Sequence, residues 1–368
     1  MSPFHGAAPL PGTREPVARS KAQIPPRLKD GGSSHQRGGV EMPLPKTARI
    51  IWKFLFSGDH RVPDGPLPVM RTDPASFNGG GNRLDVTWLG HSSLMINIDG
   101  YKVLTDPVFS KRLTPIGPTR FSFSPNLPLN LDQLGQVDVV IISHNHYDHL
   151  NKASVRRLIP KTRMFIVPLA VGAQLARWGV PRQRIVELDW WEEYRPDDSL
   201  KVVAAPARHF SGRGLGDRNK TLWASWVISG PGHKIFFSGD SGYFPGFRRI
   251  GEKYGPFDMT FLECGAYDRM WSDIHMLPEE TARAHQDLRG DVLLPVHCAT
   301  FKLAFHPWYE PMVRLNAAAS LNNIKIATPV VGDTSVYNVK IPTARWWEQP
   351  MRLSKGVIKV ASSVAYRK

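Results

Sequence analysis

The chain has 368 residues, 42% of them apolar, and a formal net charge of +15. This apolar fraction is ample for a hydrophobic core, and the length fits one large domain or two smaller ones. Two cysteines exclude a disulfide framework, and no apolar run reaches the roughly 18 residues of a membrane-spanning helix. The positive charge favours phosphate-bearing partners such as anionic lipid surfaces, nucleic acids or small phosphates.

The first 48 residues differ in composition from the rest of the chain. They are rich in proline, glycine and serine and have no apolar periodicity, so we predict a disordered basic arm over residues 1–48. An over-long gene model is an alternative explanation of this arm. It contains no continuous apolar stretch typical of a secretory signal peptide. We therefore expect a cytoplasmic protein that can associate peripherally with a membrane.

The segment that follows the arm, Ile50–Phe56, is apolar and contains Trp52 and Lys53. It has two interpretations. The segment could insert into a bilayer interface, with Trp52 as its anchor and basic residues near the headgroups. It could equally pack against the edge of the folded domain.

Periodicity along residues 49–342 predicts one α/β domain of alternating strands and helices. The alternation over 84–98 resumes at 102–105 after Asp99-Gly100, which indicates a hairpin. Helical spacing appears in four segments, 154–159, 170–178, 278–288 and 310–321. Further strands are expected at 137–142, 163–167, 201–205, 222–228, 234–238, 291–296 and 325–331. Residues 343–368 form a basic tail without an assignment.

The most informative motif follows the apolar run at 137–142. It reads His144-Asn145-His146-Tyr147-Asp148-His149, which places four metal-binding side chains within six residues. Imidazole and carboxylate together suit a metal ion such as zinc. A buried strand that leads into this loop would place the ligands at the carboxyl end of the strand, where α/β proteins commonly build sites.

One hexapeptide fills only part of two coordination shells, so further ligands should follow other strands. Three later apolar runs each end on one such residue, namely His209, Asp240 and His297. Each alone could be a structural histidine or a turn aspartate. Together with the hexapeptide they predict a binuclear metal centre.

This order of motifs resembles the metallo-β-lactamase superfamily, and in particular the branch that contains N-acylphosphatidylethanolamine-hydrolysing phospholipase D and its bacterial relatives. Between about residues 55 and 340, the resemblance rests on the segments 87–93, 104–110, 143–149, 237–243 and 265–267, on His275 with 278–280, and on His297 with 300–301. It implies a four-layer αββα sandwich with the site at one edge. Cys264 and Cys298 depart from the expected pattern, and we interpret them as buried, inert thiols.

The resemblance also implies residue roles. Two zinc ions would be held, one by His144, His146 and His209 and the other by Asp148, His149 and His297, with Asp240 as the bridge. A hydroxide bridging the metals would be the nucleophile, because two divalent ions can lower the pKa of a shared water toward about 7. Asp148 would orient it.

Other residues are candidates for supporting roles. His91 and Asp106 could accept or donate hydrogen bonds at the outer ring nitrogens of ligand histidines, although turn chemistry would also explain them. His275 precedes a helix start and could meet a phosphoryl or leaving-group oxygen. His285 should be solvated. The substrate pocket could be lined by Tyr147, Tyr243, Phe244, Phe247 and Trp271.

The leading functional hypothesis is a zinc-dependent phosphodiesterase that cleaves a phospholipid of the N-acylphosphatidylethanolamine type, in the manner of a phospholipase D, at an anionic membrane surface. The alternatives are a lactonase, thioesterase or nuclease of the same superfamily. A nuclease is disfavoured because no basic insertion separates the ligand motifs, so no nucleic-acid partner is expected. A different class of protein, an inactive binder of anionic membranes, is disfavoured by the complete ligand set.

Overall fold

The computed structural model describes residues 60–78, 80–110, 123, 127–214 and 216–353. Two seven-stranded mixed sheets dominate these ranges. The predicted arm at 1–48 and the segment Ile50–Phe56 lie outside the described residues.

The first sheet contains the predicted hairpin and the strand before the hexapeptide. Its strand order is β14-β1-β2-β3-β4-β5-β6, with parallel pairing from β3 to β6 and antiparallel pairing elsewhere. The strands are β1 (Leu84–Trp88), β2 (Leu94–Ile98), β3 (Tyr101–Thr105), β4 (Val137–Ile141), β5 (Thr162–Pro168), β6 (Ile185–Leu188) and β14 (Thr334–Val336).

The second sheet repeats this plan, with parallel pairing from β10 to β13 and antiparallel pairing on the other side. Its order is β13-β12-β11-β10-β9-β8-β7. The strands are β7 (Glu193–Tyr194), β8 (Lys201–Ala205), β9 (Ser225–Ser229), β10 (Lys234–Phe237), β11 (Phe257–Glu263), β12 (Gly290–Val296) and β13 (Lys325–Ile326).

Helices cover the outer face of each sheet. The α-helices in the described ranges are α1 (Lys152–Leu158), α2 (Gly172–Arg177), α3 (Gly246–Tyr254), α4 (Pro278–Asp287), α5 (Glu310–Leu321) and α6 (Glu348–Leu353). The alternating strand residues separate the cores: Ile235 and Phe237 of β10 pack between the sheets, whereas Phe236 packs against helices. The predicted αββα sandwich is therefore confirmed. No helix within the described ranges combines the length and apolar character needed to cross a bilayer.

The sequence predicted most of these elements but not all. The segment 84–98 is two strands rather than one, because Gly90 (φ 101°) and His91 (φ 51°) turn the chain between β1 and β2. Strands β6, β7, β11 and β14 and helices α3 and α6 were not predicted. The folded domain also continues beyond the predicted boundary at 342, because Trp347 is buried in the core between the sheets.

The expectation for His285 was wrong, whereas the two cysteines are buried free thiols as expected. His285 lies on the buried face of α4, and its Nδ1 is 2.7 Å from Thr260 Oγ1 of β11. Burial lowers the pKa of His285 from 6.5 to about 4. This histidine thus supports the fold in its neutral form.

A pH-dependent stability follows from that lowered pKa. The neutral form of His285 contributes fully above pH 6.5, and this contribution is lost as pH falls toward 4, because the unfolded chain binds the proton more tightly. We expect His285→Gln to lose this pH dependence. In urea unfolding with a chelator in both samples, the stability advantage of the wild type should shrink by about 3 kcal/mol between pH 7 and pH 4. An advantage that stays constant over this range would contradict the assignment.

Candidate metal centre

The carboxyl ends of several strands from both sheets meet at one edge of the sandwich. The turn after β1 carries His91, Asp106 follows β3, and the hexapeptide follows β4. From the second sheet, His209 follows β8, Asp240 follows β10 and His297 follows β12. The fold therefore brings all seven predicted metal ligands together at the sheet edge where the sequence placed them.

Three histidines and one aspartate form the first group of facing polar atoms, namely His144, His146, His209 and Asp240. Nδ1 of His146 lies 2.8 Å from Nε2 of His144 and 3.2 Å from Nε2 of His209. Oδ2 of Asp240 is 3.8 Å from His144 Nε2 and 3.6 Å from His209 Nε2. Three imidazole nitrogens and one carboxylate oxygen thus face a common point.

The second group consists of His91, Asp148, His149 and His297. Asp148 Oδ2 is 3.1 Å from His91 Nε2, 3.4 Å from His149 Nε2 and 3.3 Å from His297 Nε2. The structure therefore places Asp148 at the middle of this group. It also places His91 directly against that carboxylate rather than behind a histidine, which is closer to the centre than the sequence suggested.

Asp240 joins the two groups. Its Oδ1 lies 3.1 Å from His149 Nε2 and its Oδ2 lies 3.1 Å from His297 Nε2. Because Oδ2 also faces His144 and His209, this one carboxylate contacts both groups, as a bridging ligand must. Its bridging role remains a prediction.

The outer nitrogens of three histidines are fixed by hydrogen bonds. His149 Nδ1 donates to Asp106 Oδ2 at 2.7 Å, as predicted for Asp106, and His209 Nδ1 donates to Ile274 O at 3.0 Å. His144 Nδ1 lies 2.9 Å from Ser143 Oγ, which in turn donates to Asp106. With Nδ1 occupied, Nε2 is the nitrogen that each ring presents to the centre.

Arg213 supports the hexapeptide from outside. Its Nη1 donates to the backbone carbonyls of Asn145 and Leu150, each at 2.7 Å, and the guanidinium lies 3.8 Å from the ring centre of Tyr147. The sequence interpretation did not identify this residue. Its contacts hold both ends of the ligand loop in place.

The electrostatics of the centre favour a bound cation. Burial lowers the pKa of His144 and His209 well below the ordinary value and that of His146 to about 4, so these rings are neutral and have free lone pairs. Burial would also raise the pKa of Asp148 and Asp240, but neighbouring histidines outweigh it and keep both ionised.

In the second group, two histidines balance the carboxylate charges by being protonated, since the pKa values of His149 and His297 are raised. Burial lowers the pKa of His297, but Asp240 and Asp148 more than offset that effect and raise it to about 10. His149 Nε2, His297 Nε2 and Asp240 Oδ1 lie buried at the junction of the groups, and none of them makes a well-aligned hydrogen bond within the described residues, although contacts of 3.1 Å link them to one another and to Asp240 Oδ2. Unsatisfied nitrogen and oxygen ligands of this kind fit divalent metal ions such as zinc, which would replace the protons.

His275 lies beside the centre together with Glu263, a residue that the sequence interpretation missed. The His275 ring stacks on His297 with 5.3 Å between centroids and lies 5.2 Å from the His209 ring. Its Nδ1 is 2.8 Å from Oε2 of Glu263, the last residue of β11. The sequence does contain a signal for Glu263, because β11 is another largely apolar run that ends on a carboxylate.

The predicted pocket residues divide into two sets. Tyr147 lies in the ligand loop, and Trp271 is buried against Ala266 next to the His275 loop. The expectation for Tyr243, Phe244 and Phe247 was wrong. Phe247 lies on the buried face of α3 and packs with Phe244 in the outer core of the second sheet, and Tyr243 hydrogen-bonds to Asp287 of α4. After Asp240 the chain turns toward the helical layer, which carries these rings away from the centre.

Comparisons with known proteins show the family of the chain. A family model described as Beta-lactamase superfamily domain matches residues 101–298. An uncharacterized protein of Mycobacterium tuberculosis (strain ATCC 25618 / H37Rv) is 43% identical over 353 residues, which is 94% of this chain and 93% of that protein. The N-acyl-phosphatidylethanolamine-hydrolyzing phospholipase D 1 of Caenorhabditis elegans is 30% identical over 295 residues, 75% of this chain and 82% of that protein.

A solved structure shares the fold. It is a metallo hydrolase from the hyperthermophilic archaeon Ignicoccus hospitalis KIN4/I, with a TM-score of 0.53 and 21% identity, and the match covers 70% of this chain and all of that one.

Proposed function

Since the chain belongs to the beta-lactamase superfamily and is a metal-dependent hydrolase, we propose that it is a phosphodiesterase that cleaves phospholipids of the N-acylphosphatidylethanolamine type. The observation that carries the proposal is the arrangement of two ligand groups that share Asp240, with His275 beside them. The name of the C. elegans relative supports the choice of substrate.

The proposed cofactor is a pair of zinc ions. His144, His146 and His209 would hold one ion, Asp148, His149 and His297 the other, and Asp240 would contact both. When bound, such ions lower the pKa of water and neutralise the charge of a phosphate group.

Two side chains would handle protons and orientation during the reaction. Asp148 Oδ2, already 3.1 Å from His91 Nε2, would orient the attacking water and accept a hydrogen bond from it. Water would add its oxygen to phosphorus while the bond from phosphorus to the headgroup alcohol breaks. His275 would supply the proton that the departing alcohol oxygen needs. The products would be phosphatidic acid and an N-acylethanolamine.

The surroundings of the centre suit a lipid with a phosphate group. The Phe210 ring lies 4.5 Å from the His146 ring, and the guanidinium of Arg218 lies 4.3 Å from the Phe210 ring centre. Partly exposed apolar side chains, Met270, Leu303 and Phe305, pack around Trp271 nearby. With the net charge of +15, these features support a peripheral encounter with an anionic membrane.

The position of the broken bond tests the proposal. We expect hydrolysis of N-oleoylphosphatidylethanolamine in vesicles made in ¹⁸O-labelled water to place the label in phosphatidic acid, because water attacks phosphorus and the headgroup alcohol leaves. Mass spectrometry of both products measures this directly.

Two other outcomes would contradict the proposal. Label in a phosphorylated N-acylethanolamine would assign cleavage to the bond on the glycerol side. Absence of lipid turnover together with rapid turnover of a lactone or a thioester would assign the centre to that chemistry instead.

A further inference from the structure

Glu263 is a carboxylate buried beside the ligand groups, with no counterpart in the predicted ligand set. Its side chain is fully buried, and both of its oxygens are occupied. Oε2 shares a hydrogen bond with His275 Nδ1 at 2.8 Å, and Oε1 accepts one from the backbone N–H of Met276 at 2.6 Å. One carboxyl group therefore hydrogen-bonds both to the His275 ring and to the backbone of the same loop.

The main chain of Glu263 is fixed as well. Its N–H donates to Ser238 Oγ at 3.0 Å, and its carbonyl accepts from Thr281 Oγ1 of α4 at 2.8 Å. These contacts attach Glu263 to the strand that leads to Asp240 and to the helix that follows His275. The carboxylate thus has one position relative to the centre.

This arrangement is costly for the fold. A buried carboxylate loses several kcal/mol of hydration unless it is paired, and burial accordingly raises the pKa of Glu263 well above its ordinary value. Within the described ranges, the basic side chains within 4.0 Å of Glu263 are histidines, His275 at 2.8 Å and His297 at 3.9 Å, rather than a lysine or an arginine, and burial lowers the pKa of His275 to about 4. An apolar residue at the end of β11 would avoid this cost, so a role in the reaction explains the residue better than stability does.

We infer that Glu263 is a positioning residue for His275, an inference that rests on the proposed phosphodiesterase function. Through its hydrogen bond with Nδ1, Glu263 fixes the ring orientation and leaves Nε2 as the nitrogen available to substrate. As the bond from phosphorus to oxygen breaks, Nε2 gives its proton to the alcohol oxygen and Nδ1 takes the proton of the Glu263 carboxyl, so the ring stays neutral.

The test compares two lipids that differ in leaving group. N-oleoylphosphatidylethanolamine releases an alcohol that needs a proton, whereas phosphatidyl-p-nitrophenol releases a stable phenolate that does not. Glu263→Gln keeps the shape and the bond to Met276 but turns an amide N–H toward His275 Nδ1. We expect it to lower kcat on the first lipid by about 10²-fold with KM unchanged, and to change kcat on the second less than about threefold.

Two further variants complete the design. Adding Glu263→Gln to His275→Ala should cause no further loss, because the carboxylate acts through the ring. Glu280→Gln is the matched control, since Glu280 Oε2 accepts the N–H of Leu277 in the same loop at 2.9 Å without contacting His275. It should keep wild-type kcat on both lipids.

Three results would overturn the inference. They are an equal loss of kcat on both lipids, a Glu263→Gln variant as active as the wild type, or the loss of about one metal ion per chain in Glu263→Gln, which would make Glu263 a ligand. A wild-type protein that cleaves neither lipid would instead refute the proposed function, so the two failures are distinguishable.

Discussion

Replacing Asp148 with asparagine is expected to lower kcat for phosphodiester hydrolysis by on the order of 10³-fold or more. Asp148 Oδ2 lies within 3.1–3.4 Å of three histidine nitrogens, so its charge acts at the middle of the second ligand group. An amide of the same shape would remove that charge and the carboxylate that orients water. Steady-state kinetics on the lipid substrate, with metal analysis of the same samples, would measure the effect.

The control for this experiment is Asp198→Asn. Asp198 is an exposed residue in the turn between β7 and β8 and should keep wild-type kcat. His285 is unsuitable as a neutral control because it is buried against Thr260, and His285→Ala would weaken the fold itself. If Asp148→Asn retained activity within about threefold of the wild type, the chemistry would have to lie elsewhere.

The ligand set was predictable because its signal is local. The hexapeptide 144–149 and the single ligands His209, Asp240 and His297 each follow an apolar run, and strand ends from neighbouring strands meet at one sheet edge. Asp106 was found by the same reasoning, since it directly follows β3. The family resemblance then supplied the pairing of ligands and the layer order of the sandwich.

Residues whose placement depends on the direction of a side chain were predicted less well. Phe244 and Phe247 are near Asp240 in sequence, but the chain turns them toward α3 and the outer core. His285 shares a helix face with the buried Thr281 and Ala282, so its spacing of three and four residues from them predicts that it is buried. Glu263 was missed because β11 itself was not predicted. A residue can be recognised as ending a strand only when the strand has been predicted.

Removing the carboxylate shared by the two ligand groups should empty both. The wild type is expected to bind about two zinc ions per chain, and Asp240→Asn should retain few of either, because Asp240 contacts His149 and His297 at 3.1 Å and also faces the first group. Metals bound only by the folded state stabilise it. At about a thousand times Kd this is about 4 kcal/mol, so a chelator should lower the Tm of the wild type by on the order of 10 °C.

The Tm of Asp240→Asn should therefore be nearly insensitive to chelator. The matched control is Asp99→Asn, since Asp99 is another buried carboxylate paired with a histidine, 2.6 Å from His233 Nδ1, in the hairpin between β2 and β3. It should lower Tm because it weakens the hydrogen bonds that Asp99 makes with Gly232 and His233, while keeping two ions and the full response to chelator. Asp240→Asn with two ions and an undiminished chelator response would show that the two groups hold metal independently, and the bridging role of Asp240 would then be wrong.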